Sequence, residues 1–232
     1  MKHLIFGLIA TVFILNIGFA QVIPTNIGLE GAKKIAVEHN NYLSALIKNN
    51  PTTKQNVYDF FMSYKFDNLK DGEQKLYFDR YSYDSNLNFV KKYISNEIVF
   101  QLIENSNKIV ENESLTLSQI VVELDNQQKI AFSKLKSIDL DVVLVYTEVL
   151  KKSAEFWIEK SKGGNGVGNN FLNQRRIPRS HKILAADAMG ASGSLIVGAF
   201  VAGCSGPIAP LSFFAAVAGG AAWSSGCAVI GL

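Results

Sequence analysis

The last fifty residues, from Ile183 to Leu232, most constrain how this chain can fold, because they contain one acid, Asp187, and no Lys or Arg. A segment of this composition cannot form an ordinary solvated surface, so its apolar side chains must face lipid or protein. The whole chain has 232 residues and is 48% hydrophobic, which is enough to bury a core and to form one or two domains.

Small residues recur at every fourth position of this segment, in two series separated by Pro207 and Pro210. On helices, each series forms a stripe along which two backbones can approach closely. The spacing therefore predicts a glycine-zipper module that packs through its small residues. The two stripes consist of Ala186, Gly190, Ser194, Gly198 and Ala202, and of Ala216, Gly220, Ser224 and Ala228.

The first twenty residues have the pattern of a secretory signal peptide. Lys2 and His3 precede an uncharged run from Leu4 to Ile17, and small residues follow before Gln21. The run is shorter than the roughly twenty residues that a membrane-spanning helix needs, which disfavours an uncleaved anchor. We therefore expect an exported protein that is secreted, periplasmic or membrane-associated.

The region from Gln21 to Lys160 is dominated by apolar residues at helical three- and four-residue steps. Thr53 occupies a helix N-cap position, and Thr116 with Gln119 has the spacing of a capping box. Ser137 opens the last long amphipathic helix. Because strand-like alternation is rare, we predict an all-α helical bundle over residues 21–160.

Two further segments are predicted after this bundle. The run from Gly163 to Asn170 is rich in Gly and Asn, which predicts a flexible basic linker over residues 161–182, followed by the zipper module over 183–232. The basic residues beside the module suit anionic lipid headgroups, although a solvated linker explains them too. They are Arg175, Arg176, Arg179 and Lys182. Nucleic acid is not expected as a partner, because the helical part has no basic stripe.

No set of residues indicates catalysis. Only His39 and His181 remain once the signal is removed, and they lie on different elements, which argues against a metal site or a proton relay. His39 lies among apolar positions of the first helix and is expected to be a partly buried structural residue. Asp139 and Asp141 lie at a helix start, where carboxylates complement the helix dipole. We therefore expect no catalytic residue, metal or cofactor, and a protein that is not an enzyme.

The two cysteines, Cys204 and Cys227, leave two arrangements open. An even pair in an exported chain favours a disulfide. A straight antiparallel hairpin that turns between Gly206 and Pro210 would instead hold them roughly 25 Å apart, which is too far for a bond. A disulfide therefore requires the second helix to fold back, for which Gly219 and Gly220 are suited.

The C-terminal segment resembles the glycine-zipper, membrane-active segments of bacteriocin-like peptides. The likeness rests on residues 190–193, 197–199 and 218–222 together with the cysteine pair, and it covers about fifty residues. Those peptides are usually short and follow a brief leader, whereas this segment follows a helical domain. The front domain, with Glu38-His39-Asn40 on its first helix, resembles uncharacterised exported helical proteins, which implies no activity.

Three functions follow from these features. The favoured one is a non-enzymatic exported protein whose helical domain presents or restrains a membrane-active or membrane-inserting module. The alternative is an exported interaction protein whose zipper segment pairs with a partner's helices or with further copies of the chain. An enzyme is the least supported of the three. The expected partners are therefore membrane lipid or partner helices.

We predict that the mature protein begins at Gln21 and is recovered outside the cytoplasm, because the residues before Gln21 fit a signal peptidase site. Intact mass spectrometry of the exported protein checks this and also detects the loss of about two mass units that a disulfide produces. Recovery of the full-length chain from the cytoplasm would contradict the prediction.

Overall fold

The structure, a computed structural model, describes residues 27–63, 90–91, 94–175, 183–191, 217–220, 222 and 226–227. Within these residues every regular element is a helix and no strand occurs, which confirms the predicted all-α class. The longer elements are α1 (Gly28–Lys48), α2 (Lys54–Ser63), α3 (Glu97–Glu111), α4 (Leu117–Lys134), α5 (Ser137–Trp157), α6 (Val167–Arg175) and α7 (183–191), with a 3-10 turn at Lys160–Lys162.

Helix α5 is the central element of the bundle. Every residue from Asp141 to Leu150 is buried, so this helix is enclosed on all sides rather than on one stripe. Helices α1, α3, α4 and α6 all pack against it. Its run of apolar residues from Val142 to Val145 explains this position, because a helix that is apolar around its circumference belongs inside a core.

The N-terminus of α1 is capped by a residue of α5. Asp141 is 2% exposed, and its two carboxylate oxygens accept hydrogen bonds from the amides of Ile27, at 3.2 Å, and Gly28, at 3.1 Å. Helix starts have unsatisfied amides and a partial positive charge, so a carboxylate stabilises them. The sequence predicts that Asp141 complements its own helix, and the structure corrects this by assigning it to α1.

Several local predictions are confirmed. The capping box of α4 is formed, because Thr116 N donates to Gln119 Oε1 at 2.9 Å and Gln119 N donates to Thr116 Oγ1 at 3.4 Å. At the start of α2, Asn56 N donates to Thr53 Oγ1 at 3.1 Å. Helix α5 begins at Ser137, as its sequence indicates.

A polar cluster joins α4 to α5, and Gln128, Thr147 and Glu148 are its buried members. Gln128 Nε2 donates to Thr147 Oγ1 at 2.8 Å and to Glu148 Oε1 at 2.7 Å. Lys151 Nζ donates to the same glutamate oxygen at 2.7 Å and to Asp125 Oδ1 at 2.5 Å. Buried polar groups cost little stability when each has a partner, and their directional bonds hold one helix in register with the other.

The glycine-rich segment after α5 differs from the predicted flexible linker. Asn165 N donates to Glu155 O at 2.8 Å, and Gly163 adopts a left-handed φ of +94°. A Cβ on Gly164 would lie 2.1 Å from Ile158 O. These glycines therefore form a tight turn that ends the 3-10 turn after α5. The chain then enters α6, in which Phe171 and Leu172 are buried.

The described parts of the C-terminal segment belong to the same core as the bundle. They contribute buried apolar residues to the cluster that also contains Ile35 of α1 and Trp157 of α5. The core therefore continues past the predicted boundary at Lys160, since burial favours any apolar surface that the chain can bring within reach. The residues concerned are Ile183, Leu184, Ala188, Ala191, Val217, Ala218 and Ala222.

Replacing Asp141 with Ala should lower the free energy of unfolding by about 1–3 kcal/mol, because two amides at the start of α1 lose a buried charged acceptor. Urea unfolding followed by helical circular dichroism measures this change. The matched control is Glu104→Ala, which removes an exposed ion pair with Lys108 and should cost less than about 0.5 kcal/mol. Equal losses in the two variants would contradict the capping role.

Candidate functional site

Helix α1 carries a histidine on its buried face. His39 is fully buried together with Ile35, Ala36 and Leu43, which lie three or four residues from it along the helix. Its Nδ1 lies 3.0 Å from Asn40 Oδ1, and Asn40 Nδ2 donates to Lys152 O on α5 at 2.8 Å. The asparagine thus links the histidine to the backbone of the central helix. The sequence predicts a partly buried structural histidine at this position, and the structure shows a fully buried one.

Helix α5 presents two hydrogen-bond donors next to this histidine. Ser153 and Trp157 are one turn apart, so both side chains lie on one face of the helix, and both are fully buried. The indole ring of Trp157 contacts Phe156 edge to face, with ring centroids 5.0 Å apart. Gly168 of α6 lies so close that a Cβ there would be 2.2 Å from Trp157 Cε3. Close packing on both sides therefore sets the direction of the indole N–H.

Helix α7 supplies the acceptor. Asp187 is fully buried, and its Oδ2 accepts hydrogen bonds from Ser153 Oγ at 2.6 Å and from Trp157 Nε1 at 3.0 Å. His39 Nε2 lies 3.6 Å from the same oxygen. The four side chains form what we call the Asp187 cluster: His39, Ser153, Trp157 and Asp187. It joins α1, α5 and α7 at one point.

The environment of this cluster disfavours charge on either titratable group. Burial raises the pKa of the Asp187 carboxyl well above its ordinary value, against the hydrogen bonds from Ser153 and Trp157, which lower it. Burial also lowers the pKa of the His39 imidazole to about 4, against the hydrogen bond with Asn40, which raises it. Both shifts have the same cause, since a low-dielectric interior stabilises the neutral forms.

The cluster contains Ser, His and Asp, but its geometry is not that of a nucleophilic triad. In a triad the serine hydroxyl donates to the histidine, which the acid orients. Here Ser153 donates to Asp187 instead, and Ser153, His39 and Asp187 are all closed to solvent. Among the described residues, no group of three or more His, Cys, Asp or Glu side chains is placed to hold a metal ion. The arrangement is suited to holding α7 in place.

The far end of the C-terminal segment also contacts the bundle. A Cβ on Gly226 would lie 2.7 Å from a methyl group of Leu46 on α1 and 2.9 Å from one of Val57 on α2. Both apolar residues are buried in the core. The absence of a side chain at Gly226 therefore allows the chain to lie directly on the bundle there.

Three residues of the predicted zipper stripes are described. Gly190 and Gly220 are buried, and Ala186 is half-buried. The most buried face of α7 is formed by Leu184, Asp187, Ala188 and Ala191, so the helix faces the bundle through more than its small-residue stripe. The other predicted zipper residues lie outside the described part of the chain: Ser194, Gly198, Ala202, Ala216, Ser224 and Ala228.

The remaining predicted site residues are described only in part. Arg175 ends α6, whereas Arg176, Arg179 and Lys182 lie outside the described residues. Cys227 is half-buried, but Cys204 is not described, so the disulfide stays a prediction. In the part of the chain that the structure covers, no helix combines the length and apolar character needed to cross a membrane.

The sequence does not reveal the donors of the Asp187 cluster. Ser153 and Trp157 read as ordinary residues of a buried helix, and Asp187 is noticeable only as a single acid in an apolar segment. That isolation is itself a usable signal, because a lone acid on an apolar helix needs donors from another element. It does not say which element provides them.

Comparisons with known proteins add no relative. The chain matches no protein-family model, and neither curated proteins nor solved structures include one that is similar to it. What the chain does therefore has to be inferred from its own residues and their geometry.

Replacing Ser153 with Ala should lower the free energy of unfolding by about 1–3 kcal/mol, because the Asp187 oxygen loses a buried donor. The matched control is Ser133→Ala on α4, whose hydroxyl donates to Ile130 O at an exposed position and should contribute less than about 0.5 kcal/mol. Urea unfolding of both variants measures the difference. A Ser153→Ala variant as stable as the control would show that the hydrogen bond does not hold α7.

Proposed function

We propose that this chain is an exported, non-enzymatic protein whose helical bundle stores an apolar C-terminal module that acts on membranes. The module is the segment from Ile183 to Leu232. The bundle keeps part of it buried until it is released. The segment has a composition suited to membranes, and the bundle buries part of its apolar surface away from water.

The observation that carries the proposal is the burial of the described module residues in the bundle core. A segment with one acid and no Lys or Arg is poorly suited to water. Leu184, Ala188, Val217 and Ala222 are completely buried, so the bundle removes their apolar surface from solvent. Burial of this kind contributes roughly 25 cal/mol per Å² of apolar area. The same surface would gain a similar free energy from contact with lipid, which makes storage and membrane binding competing states.

The treatment of Asp187 also supports storage. A carboxylate in the hydrocarbon core of a membrane is unfavourable by a few kcal/mol or more. In the bundle, Ser153 and Trp157 donate to this acid, and its raised pKa favours the protonated form. A protonated Asp187 is also the form that an apolar membrane environment tolerates best. The bundle thus gives the only acid of the segment two donors and a neutral form, and the acid loses both when the segment is released into water.

The basic residues before the module suit the same function. Four basic residues lie in the eight positions before Ile183, namely Arg175, Arg176, Arg179 and Lys182. A basic sequence next to an apolar segment is attracted to anionic headgroups, at about 1 kcal/mol for each charge near the surface. It would concentrate the protein at an anionic membrane before the module is released.

We expect the protein to release dye from anionic liposomes, and Ser153→Ala to release it faster. Loss of the Ser153 hydrogen bond favours the undocked module, and a cost of about 1–2 kcal/mol raises its population roughly 5- to 30-fold. Ser133→Ala should behave like the wild type because its hydroxyl is exposed and donates only to Ile130 O within α4. Leakage is followed by the dequenching of an encapsulated dye.

A second pair of variants tests the module itself. Gly198→Ile places a branched side chain in the predicted small-residue contact, where overpacking costs about 1–3 kcal/mol, whereas Val197→Ile adds one methylene beside it. Gly198→Ile should reduce leakage and Val197→Ile should not. If none of the proteins causes leakage, the alternative function as an interaction or self-assembly protein is favoured, and analytical ultracentrifugation would then test for homo-oligomers.

A further inference from the structure

We infer that docking of α7 depends on one proton held jointly by His39 and Asp187, and that loss of this proton at alkaline pH releases the helix from the bundle. The inference rests on the proposed function only for its consequence, which is that release delivers the module. The docking step itself involves only the protein and can be observed without a membrane.

The geometry of the pair sets the number of protons. His39 Nε2 and Asp187 Oδ2 are 3.6 Å apart, and both side chains are fully buried. Without a proton, the pair is a buried carboxylate next to a neutral imidazole, and with two protons it is a buried imidazolium next to a neutral acid. Each of these states leaves a net charge in the interior, which is unfavourable. One proton makes the pair neutral overall, whichever of the two groups carries it.

The described helices that meet at this pair carry a small set of other ionisable groups, most of which have partners of their own. Glu38 on α1 is half-buried and accepts from Asn41 Nδ2. On α5, Lys152 pairs with Glu155 at 2.6 Å, and both side chains are about 40% exposed. Lys151 is bound by Asp125 and Glu148 on the side of α4. The described part of α6 carries one ionisable residue, Arg175, and α7 carries Asp187 alone.

The sign of the pH dependence follows from counting protons in each state. In the released state both groups meet solvent and return to ordinary pKa values of about 6.5 for His and 3.9 for Asp. The released pair then holds one proton between these two values and none above about pH 6.5. The docked pair holds one proton in both ranges. The docking equilibrium should therefore be flat between about pH 4 and 6.5, and release should increase about tenfold per pH unit above that.

Two single variants should change this profile in different ways. Asp187→Asn keeps an oxygen that accepts from Ser153 and Trp157 but removes the acid. His39 then has to dock in its neutral form, so release should increase roughly tenfold per unit as the pH falls from about 6.5. His39→Gln leaves only the acid, which has to dock protonated, so release should begin to increase near pH 4 rather than near pH 6.5.

The test is hydrogen exchange, measured by mass spectrometry on the purified protein between pH 4.5 and 9. The protection factor of residues 183–191 is calculated at each pH against the intrinsic exchange rate, and residues 117–134 of α4 report on unfolding of the whole bundle. We expect wild-type protection of 183–191 to be constant up to about pH 6.5 and to fall about tenfold per unit above it. Protection of α4 should not follow this fall.

The two variants make the outcome decisive. A reversed slope in Asp187→Asn and an earlier onset in His39→Gln support the shared proton, and either result alone does so if the other variant does not fold. Parallel profiles in all three proteins would show a structural cluster without a proton dependence and would overturn the inference. Wild-type protection that stays constant up to pH 9 would overturn it as well.

Dye leakage measured at pH 6 and pH 8.5 separates this inference from the proposed function. Alkaline loss of protection without any leakage would support proton-dependent docking of α7 and contradict the membrane function. Leakage with a pH-independent protection factor would support the membrane function and contradict proton-dependent docking.

Discussion

A buried carboxyl group needs donors, and this requirement determines how the C-terminal segment joins the rest of the protein. The apolar residues of α7 could be buried in many orientations, since hydrophobic contact has little directional preference. Asp187 removes that freedom, because its Oδ2 meets Ser153 and Trp157 of α5 and lies near His39 of α1. One polar side chain thereby selects a single docking position.

The same principle applies to the other helix contacts of α5. Asp141 accepts from two amides at the start of α1, and Glu148 and Lys151 join Gln128 and Asp125 of α4. The apolar residues between these points supply most of the burial, whereas the polar ones define the register of each neighbouring helix. Because α5 takes part in all three contacts, it organises the bundle and the stored segment together.

Local signals in the sequence predict the helices well and their assembly poorly. The capping box at Thr116 involves neighbouring residues, so spacing alone reveals it. The partner of Asp141 lies 113 residues away at Gly28, and the donors of Asp187 are on another helix, so no local pattern indicates either contact. Glycine at positions 163 and 164 is ambiguous for a different reason, because both a flexible linker and a tight turn favour it. Only tertiary packing decides between them.

The contact between Trp157 and Asp187 is tested most directly by the indole N–H signal of Trp157 in the ¹⁵N nuclear magnetic resonance spectrum. The Trp157→Phe variant assigns this signal. Docking of α7 predicts that this proton exchanges slowly with water and that its chemical shift moves when Asp187 is replaced by Asn. The other indole signal belongs to Trp223 and is the one that remains in the spectrum of Trp157→Phe. Rapid exchange of the Trp157 proton in the folded wild-type protein, or a shift that does not respond to residue 187, would contradict the central role of this contact.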